Sequence, residues 1–269
     1  MLKNKLFLFL FLIHFFTFSQ DNISFISWNI RDFGKTKNKE ELDRIADIVR
    51  DVDIVALQEV VAGPGGAQTV AYLADILNRK GSKWDYVVSN PTKSPKYATE
   101  RYAFLWKTSR IKIKKRGNLI SELDSLVDRE PFFIDFYKNG RKLSVINFHS
   151  RPHDKNPESE IAAITDYLKK SYRQTPLLLV GDFNVDEKKP VFDKLKNMGF
   201  RTAVSNQRTT LKLSCHKNNY LNYAIDNIFY SHDILKLQGS ASDFVMLCEN
   251  LTNARMLSDH LPVFFEFSF

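Results

Sequence analysis

The chain has 269 residues, with 39 Lys and Arg against 31 Asp and Glu, a formal charge of +8 and a pI of about 9.3. A hydrophobic share of 43% excludes a disordered chain, 10 Gly and 9 Pro exclude a collagen-like or low-complexity one, and two Cys exclude a disulfide-stapled mini-scaffold and a four-thiolate zinc site. The basic excess suits a polyanionic partner (nucleic acid, an anionic membrane surface or a phosphorylated substrate), or serves solubility alone.

Residues 1–19 read as a secretory signal peptide. Lys3 and Lys5 give a positive start, residues 6–18 are apolar except for His14 and Thr17, and Thr17 and Ser19 put small side chains at −3 and −1 of a cut before Gln20. The run is shorter than the roughly 20 residues a membrane span needs, and no later segment is long and apolar enough for one. The expectation is an exported chain, secreted or periplasmic. Losing residues 1–19 removes two lysines and no acid, so the mature charge is +6. Cys215 and Cys248 could pair in an oxidising compartment, but sequence does not show how close they come.

In chain order, short apolar or alternating runs predict strands at 23–28, 53–57, 84–88, 102–106, 131–137, 143–148, 177–180, 225–230 and 263–267. Apolar residues at spacings of three and four predict helices around Leu42, Ile45, Ala46 and Val49, around Val70, Leu73, Ala74 and Leu77, and around Ile161, Ile164 and Leu168. Helices scattered among mostly antiparallel strands predict an α/β fold with two sheets packed face to face and helices outside. No repeat or linker divides residues 20–269, which read as a single domain.

Polar residues gather where the strands end. Asn29 and Arg31 follow the first strand, Gln58-Glu59 the second, and His149-Ser150 a later one. Gly181-Asp182-Phe183-Asn184 closes a very apolar run, Asp226 lies in Ile225-Asp226-Asn227-Ile228, and Ser258-Asp259-His260 precedes the last strand. Each motif alone has a plain structural reading, as a solvated strand end, a turn or a satisfied histidine. Six of them in or beside strands assemble hard oxygen ligands and acid–base groups at one sheet edge, the inventory for divalent-cation chemistry at phosphate.

With these residues in view, the chain resembles the endonuclease/exonuclease/phosphatase superfamily, and within it the deoxyribonuclease I type. Asn29-Ile30-Arg31-Asp32-Phe33-Gly34-Lys35-Thr36-Lys37 and Asp53-Ile54-Val55-Ala56-Leu57-Gln58-Glu59-Val60 are similar to that type's first two motifs. Glu100-Arg101-Tyr102, Arg129-Glu130-Pro131 and His149-Ser150 are further matches. The resemblance implies a four-layer α/β sandwich, with one cleft across the sheet edges, that hydrolyses DNA with little sequence preference.

The same resemblance implies the roles. Glu59 is the first choice for a Mg²⁺ ligand, Mn²⁺ being an alternative, with Asn29 and Asp259 at or beside the metal. His260 with Asp226, and His149 with Glu100, are proton-transfer pairs. Asp182 and Asn184 orient water or phosphate oxygens. Arg31, Arg129 and Tyr102 are placed on the substrate, double-stranded DNA. No protein partner and no membrane insertion are implied.

Some positions depart from the pattern. Ala98 stands where the type has a groove-packing tyrosine, with Tyr97 one place out, and Val61 stands where it has an arginine. The cysteines do not match the type's disulfides. Residues 118–129 lack its small disulfide loop, leaving Asp124, Asp128 and Glu130 as the carboxylates open to a structural Ca²⁺. Residues 216–223 form a polar, aromatic insertion that reads as a surface loop or as a base-stacking element. Two rival readings are a hydrolase of the same superfamily acting on a phospholipid or phosphorylated small molecule, and a non-catalytic polyanion-binding module. The set Glu59, His149, Asp182, Asp226 and His260 argues against the second.

Overall fold

The computed structural model describes residues 22–95, 98–172 and 175–269, so the signal-peptide reading of residues 1–19, and Tyr97, lie outside the described residues. The strands are β1 (Ile23–Phe33), β2 (Ile54–Val61), β3 (Trp84–Val88), β4 (Glu100–Lys107), β5 (Lys112–Ile113), β6 (Asn118–Leu119), β7 (Phe132–Lys138), β8 (Arg141–His149), β9 (Leu177–Asp182), β10 (Arg201–Thr202), β11 (Leu211–His216), β12 (Asn219–Leu221), β13 (Asp226–Tyr230), β14 (Leu235–Ala241) and β15 (Val263–Ser268). The helices are α1 (Lys39–Val49), α2 (Pro64–Arg79), α3 (Pro157–Ser171), α4 (Asp193–Asn197) and α5 (Leu251–Leu257).

Two sheets carry the fold. One runs β14-β15-β1-β2-β4-β3 and the other β10-β13-β9-β8-β7-β5, with β6 also on β7. In each sheet a parallel pair, β1 with β2 and β8 with β9, is flanked by antiparallel neighbours. The expected mainly antiparallel, two-sheet α/β sandwich is therefore present.

The side-chain period of two sorts each central strand onto two cores. Phe25, Ile54, Phe104, Val145, Leu178 and Ile228 point between the sheets. Their next neighbours Ile26, Val55 and Leu105 meet α1 and α2. Ile146, Leu179 and Phe229 meet α3 on the opposite outer face. Burial on both faces is why these strands read as unbroken apolar runs.

The helices follow from local chemistry. Asn38 and Glu41 form a reciprocal capping box at the start of α1, Asn38 Oδ1 accepting the Glu41 amide at 3.0 Å and Glu41 Oε2 the Asn38 amide at 2.9 Å. Pro64 and Pro157 occupy first turns, where the missing N–H costs nothing.

The sequence did not announce β14, whose Leu235 and Leu237 are exposed at a sheet edge, nor the seven-residue α5. Residues 216–223 belong largely to a hairpin of β11 and β12, turned by Lys217 and Asn218, both with positive φ. Cys215 on β11 is bridged to Cys248 just before α5, with Cα atoms 5.5 Å apart. Among the described residues no helix is long and apolar enough to cross a membrane.

Gly181 shows how closely β8 and β9 approach. Its φ is +138°, and a Cβ there would lie 1.8 Å from the Phe148 carbonyl oxygen. Gly181→Ala is therefore expected to cost at least about 2 kcal/mol of folding free energy, checked by the urea midpoint.

Candidate active site

The inward face of the strands continues past the apolar core and turns polar at one end. Four residues beyond Phe25, Ile54, Val145 and Leu178 come Asn29, Gln58, His149 and Asp182, and four before Phe104 and two before Ile228 come Glu100 and Asp226. Even spacing keeps all six pointing between the sheets. All six are buried.

Asp182 is the centre. It is 2% exposed. Its Oδ1 accepts the Asn184 amide at 2.9 Å, and its Oδ2 accepts Asn29 Nδ2 at 3.1 Å. The same Oδ2 lies 3.6 Å from His149 Nε2 and 3.8 Å from His260 Nε2. Asn184, with φ 52°, turns the chain away and gives its side-chain amide to the Ser150 carbonyl at 3.3 Å.

Behind each imidazole stands a carboxylate. His260 Nδ1 is 3.0 and 2.9 Å from the two oxygens of Asp226. His149 Nδ1 is 2.9 and 3.1 Å from those of Glu100. The carboxylates hold the Nδ1–H tautomer and leave both Nε2 atoms facing the same space. Burial pushes the His260 pKa down, but Asp226 and Asp182 more than offset it and raise it to about 10. Burial likewise opposes Glu100 at His149, and Glu100 prevails, so that ring is also raised. Asp182 is raised by burial and by the nearby Asp226 charge.

Glu59 reaches the site by a different route. One residue past inward-facing Gln58, it would point to the outer face, but the ladder slips on both sides of it and its φ is 57°. A bulge re-aims a side chain in this way. Glu59 Oε1 accepts Asn29 Nδ2 at 3.0 Å and Oε2 accepts the Asp32 amide at 3.2 Å. Among the described residues this leaves Asn29 Oδ1 buried with no hydrogen-bond partner.

An orphaned amide oxygen beside a carboxylate suits a hard divalent cation, so Asn29 and Glu59 fit a metal site. Asp259 lies between Arg31, at 3.9 Å, and Arg255, at 3.7 Å. A second grouping, Asp182, Asp226 and His260, brings one ligand atom from each within 4.8 Å of the others. The carboxylates considered for Ca²⁺ have other partners. Asp124 pairs with Lys93 and Asp128 with Arg151, while Glu130 accepts the Lys93 amide.

Burial corrects one expected substrate contact, Tyr102, and a second, Arg129, is engaged with the site's own carboxylate. Tyr102 is fully buried, and its hydroxyl accepts the His149 amide at 3.2 Å, so it supports the histidine's backbone and does not meet a ligand. Arg129 is turned inward, 3.2 Å from Glu100 Oε2, and donates to the Ala98 and Ser150 carbonyls. It supports Glu100. Arg31 remains at the cleft, its side chain 43% exposed.

Thr209 was not singled out in the sequence, and Ser258, Gln58 and Lys37 were read only as members of their motifs, without the supporting bonds they make. Thr209 Oγ1 donates to Asp226 Oδ2 at 2.6 Å while accepting the Asp226 amide. Ser258 Oγ donates to the Asn29 carbonyl at 2.6 Å and accepts the His260 amide, tying the last loop to β1. Gln58 Nε2 donates to Asn147 Oδ1 at 2.6 Å across the sheets. Lys37 Nζ caps α5 at the Met256 and Leu257 carbonyls.

The profile of the endonuclease/exonuclease/phosphatase family matches residues 26–260, most of the chain and every residue of this site. The chain belongs to that family. Members of the family are phosphoesterases, and they depend on divalent metals. No curated protein sequence matches the chain. Among solved structures, a family protein from Bacteroides thetaiotaomicron is similar with a TM-score of 0.65 at 16% identity, covering 91% of this chain and 94% of its own. A mannosyl-6-phosphatase from the same organism has a TM-score of 0.65 at 16% identity, covering 92% and 100%. D. rerio TDP2, complexed with a single-strand DNA product, has a TM-score of 0.64 at 18% identity, covering 92% and 99%. These likenesses are likenesses of fold.

The raised His260 pKa fixes a sign. Stability drawn from its protonated ring is fully present below its ordinary pKa of 6.5 and is lost as pH rises through about 10. In EDTA the folding free energy is expected to fall across that window. The fall is expected to be shallower in Asp226→Asn, as measured by urea unfolding at pH 6.5, 8 and 10.

Proposed function

We propose that the chain is an exported, divalent-metal-dependent endonuclease that hydrolyses phosphodiester bonds of DNA with little sequence preference. The observation that carries the reading is the convergence of two carboxylate-held imidazoles, through Nε2, on the single buried carboxylate of Asp182. Hydrolysis adds a water oxygen to phosphorus, breaks one P–O ester bond and puts a proton on the departing oxygen. Two Nε2 atoms on one side of a cleft supply both transfers, one taking the water's proton and the other protonating the leaving group.

Asp182 and Asn184 orient the water or the phosphate oxygens. Asn29 and Glu59, with Asp259 beside them, would hold the metal, Mg²⁺ before Mn²⁺. When bound, the metal supplies positive charge to a phosphate oxygen in the transition state. A cavity beside Asp32, whose amide donates to Glu59, is lined by Arg31 and Lys35 along with Asp32 and Glu41, and the two cations suit backbone phosphates without reading sequence. The signal-peptide pattern supports export, and a Cys215–Cys248 bridge accords with an oxidising compartment. N-terminal sequencing of secreted material is expected to begin near Gln20. Recovery of intact chain from the cytoplasm alone would overturn export.

The purified protein is expected to nick supercoiled plasmid in Mg²⁺ and to be silent in EDTA, with RNA and sphingomyelin assayed in parallel. Undiminished cutting in EDTA refutes the metal dependence. Hydrolysis of sphingomyelin or a phosphorylated sugar in place of DNA refutes the substrate.

His260→Ala and His149→Ala are each expected to lower kcat by about 10²–10⁴-fold. Combining His260→Ala with Asp226→Asn is expected to add little, because the pair acts as a unit. Circular dichroism on each variant separates lost chemistry from lost folding.

A further inference from the structure

Beside the Asn184 end of the site, away from Glu59, the surface opens into a second lobe of ≈ 500 Å³, within the range of about 300–1,000 Å³ typical of small-ligand sites. Its walls include Asn184, Ile225, Tyr223, His153, Lys189 and Arg208. Asn184 and Ile225 make it continuous with the catalytic edge, because Asn184 donates its amide to Asp182 and Ile225 precedes Asp226.

Tyr223 is 59% exposed, and its ring stacks on His153 with centroids 6.4 Å apart and planes 30° apart. The backbone that carries it is fixed. The Tyr223 carbonyl accepts the Thr209 and Thr210 amides, and its own amide donates to Thr210 Oγ1 at 2.8 Å. An exposed aromatic face on an anchored backbone needs little ordering to receive a flat ligand. Lys189 and Arg208 are solvent-exposed cations on the rim.

The two cavities flanking the site differ in what their aromatic residues offer. Arg31, Lys35 and Lys37, with Asp32 and Glu41, line the cavity beside Asp32, while the Tyr223–His153 pair, with Lys189 and Arg208 offset by Glu158 and Asp186, lines the cavity beside Asn184. A polymer crossing the site would lay phosphate at one end and a base at the other. Resting on the nuclease reading, we propose that the Tyr223–His153 lobe is a nucleobase subsite and that the preferred substrate is DNA whose base next to the cut is unpaired. In a duplex both faces of a base are covered by its neighbours, so a stacking wall accepts a base only from a single strand or after extrusion.

Stacking on an aromatic side chain contributes about 1–3 kcal/mol per base, which is about 5–150-fold in affinity. The test compares single-stranded and duplex forms of one oligonucleotide in Mg²⁺. The single strand is expected to have the higher kcat/KM by about 10-fold or more, within the stacking range. Tyr223→Ala is expected to raise its KM by about 10-fold with little change in kcat, and Tyr223→Trp to restore it. Equal melting temperatures establish that the variants are folded. In EDTA, where no cutting interferes, a 2-aminopurine oligonucleotide is expected to be quenched by the parent protein and not by Tyr223→Ala.

Equal cutting of both forms, with KM untouched in Tyr223→Ala, overturns the base subsite and leaves the nuclease reading standing. Hydrolysis of a phosphorylated sugar with no cutting of any nucleic acid overturns both.

Discussion

Keeping one carboxylate charged between two sheets is the constraint on which the rest depends. Asp182 is almost wholly out of water, where an uncompensated charge costs several kcal/mol. Its compensation is brought from far apart: an amide two residues on, Asn29 from the other sheet, one imidazole from β8 and one from the segment before β15. Each donor is then held by a partner of its own. Glu100 and Asp226 fix the rings, Arg129 and Thr209 fix those carboxylates, and Ser258 fixes the loop that carries His260. The outer groups touch no reacting atom, yet their geometry sets where Nε2 points.

Between this network and the apolar core lies a thin polar layer. Gln58 spans the gap from Ser27 to Asn147, and Asn147 returns to the Leu57 carbonyl. These hydrogen bonds join the two sheets where the inward face changes from Phe and Ile to carboxylate within four residues. Glu59 is where regularity yields. A non-glycine residue in the left-handed region costs of order 1–3 kcal/mol, and the bonds from Asn29 and Asp32 hold it there.

The fold was legible wherever strands were apolar on both faces, and so were the site residues at their ends, since Asn29, His149, Asp182 and Asp226 continue an inward parity that can be counted along the chain. Glu59 breaks that parity; its motif was readable, but the bulge that aims it was not. A motif gives neighbours in sequence and says nothing of Tyr102 being sealed inside or of Arg129 turning to Glu100. Thr209 gave no signal, a threonine after an arginine being ordinary, and Gln58 was read only as part of its motif, without its partner across the sheets. The edge strand β14 was missed because its leucines lie in solvent, so its alternation carries no core imprint.

The same distribution of residues bears on when the site exists. The His260–Asp226 pair closes 34 positions of chain, His149–Glu100 closes 49, Asn29–Asp182 closes 153, and Ser258 reaches back 229 to the Asn29 carbonyl. Contacts of such separation carry a large loop-closure cost and slow the folding of the chain that must make them. A chain halted halfway through folding would carry every residue of the site without its full geometry. The topology thereby makes completion of folding the condition for assembling the site.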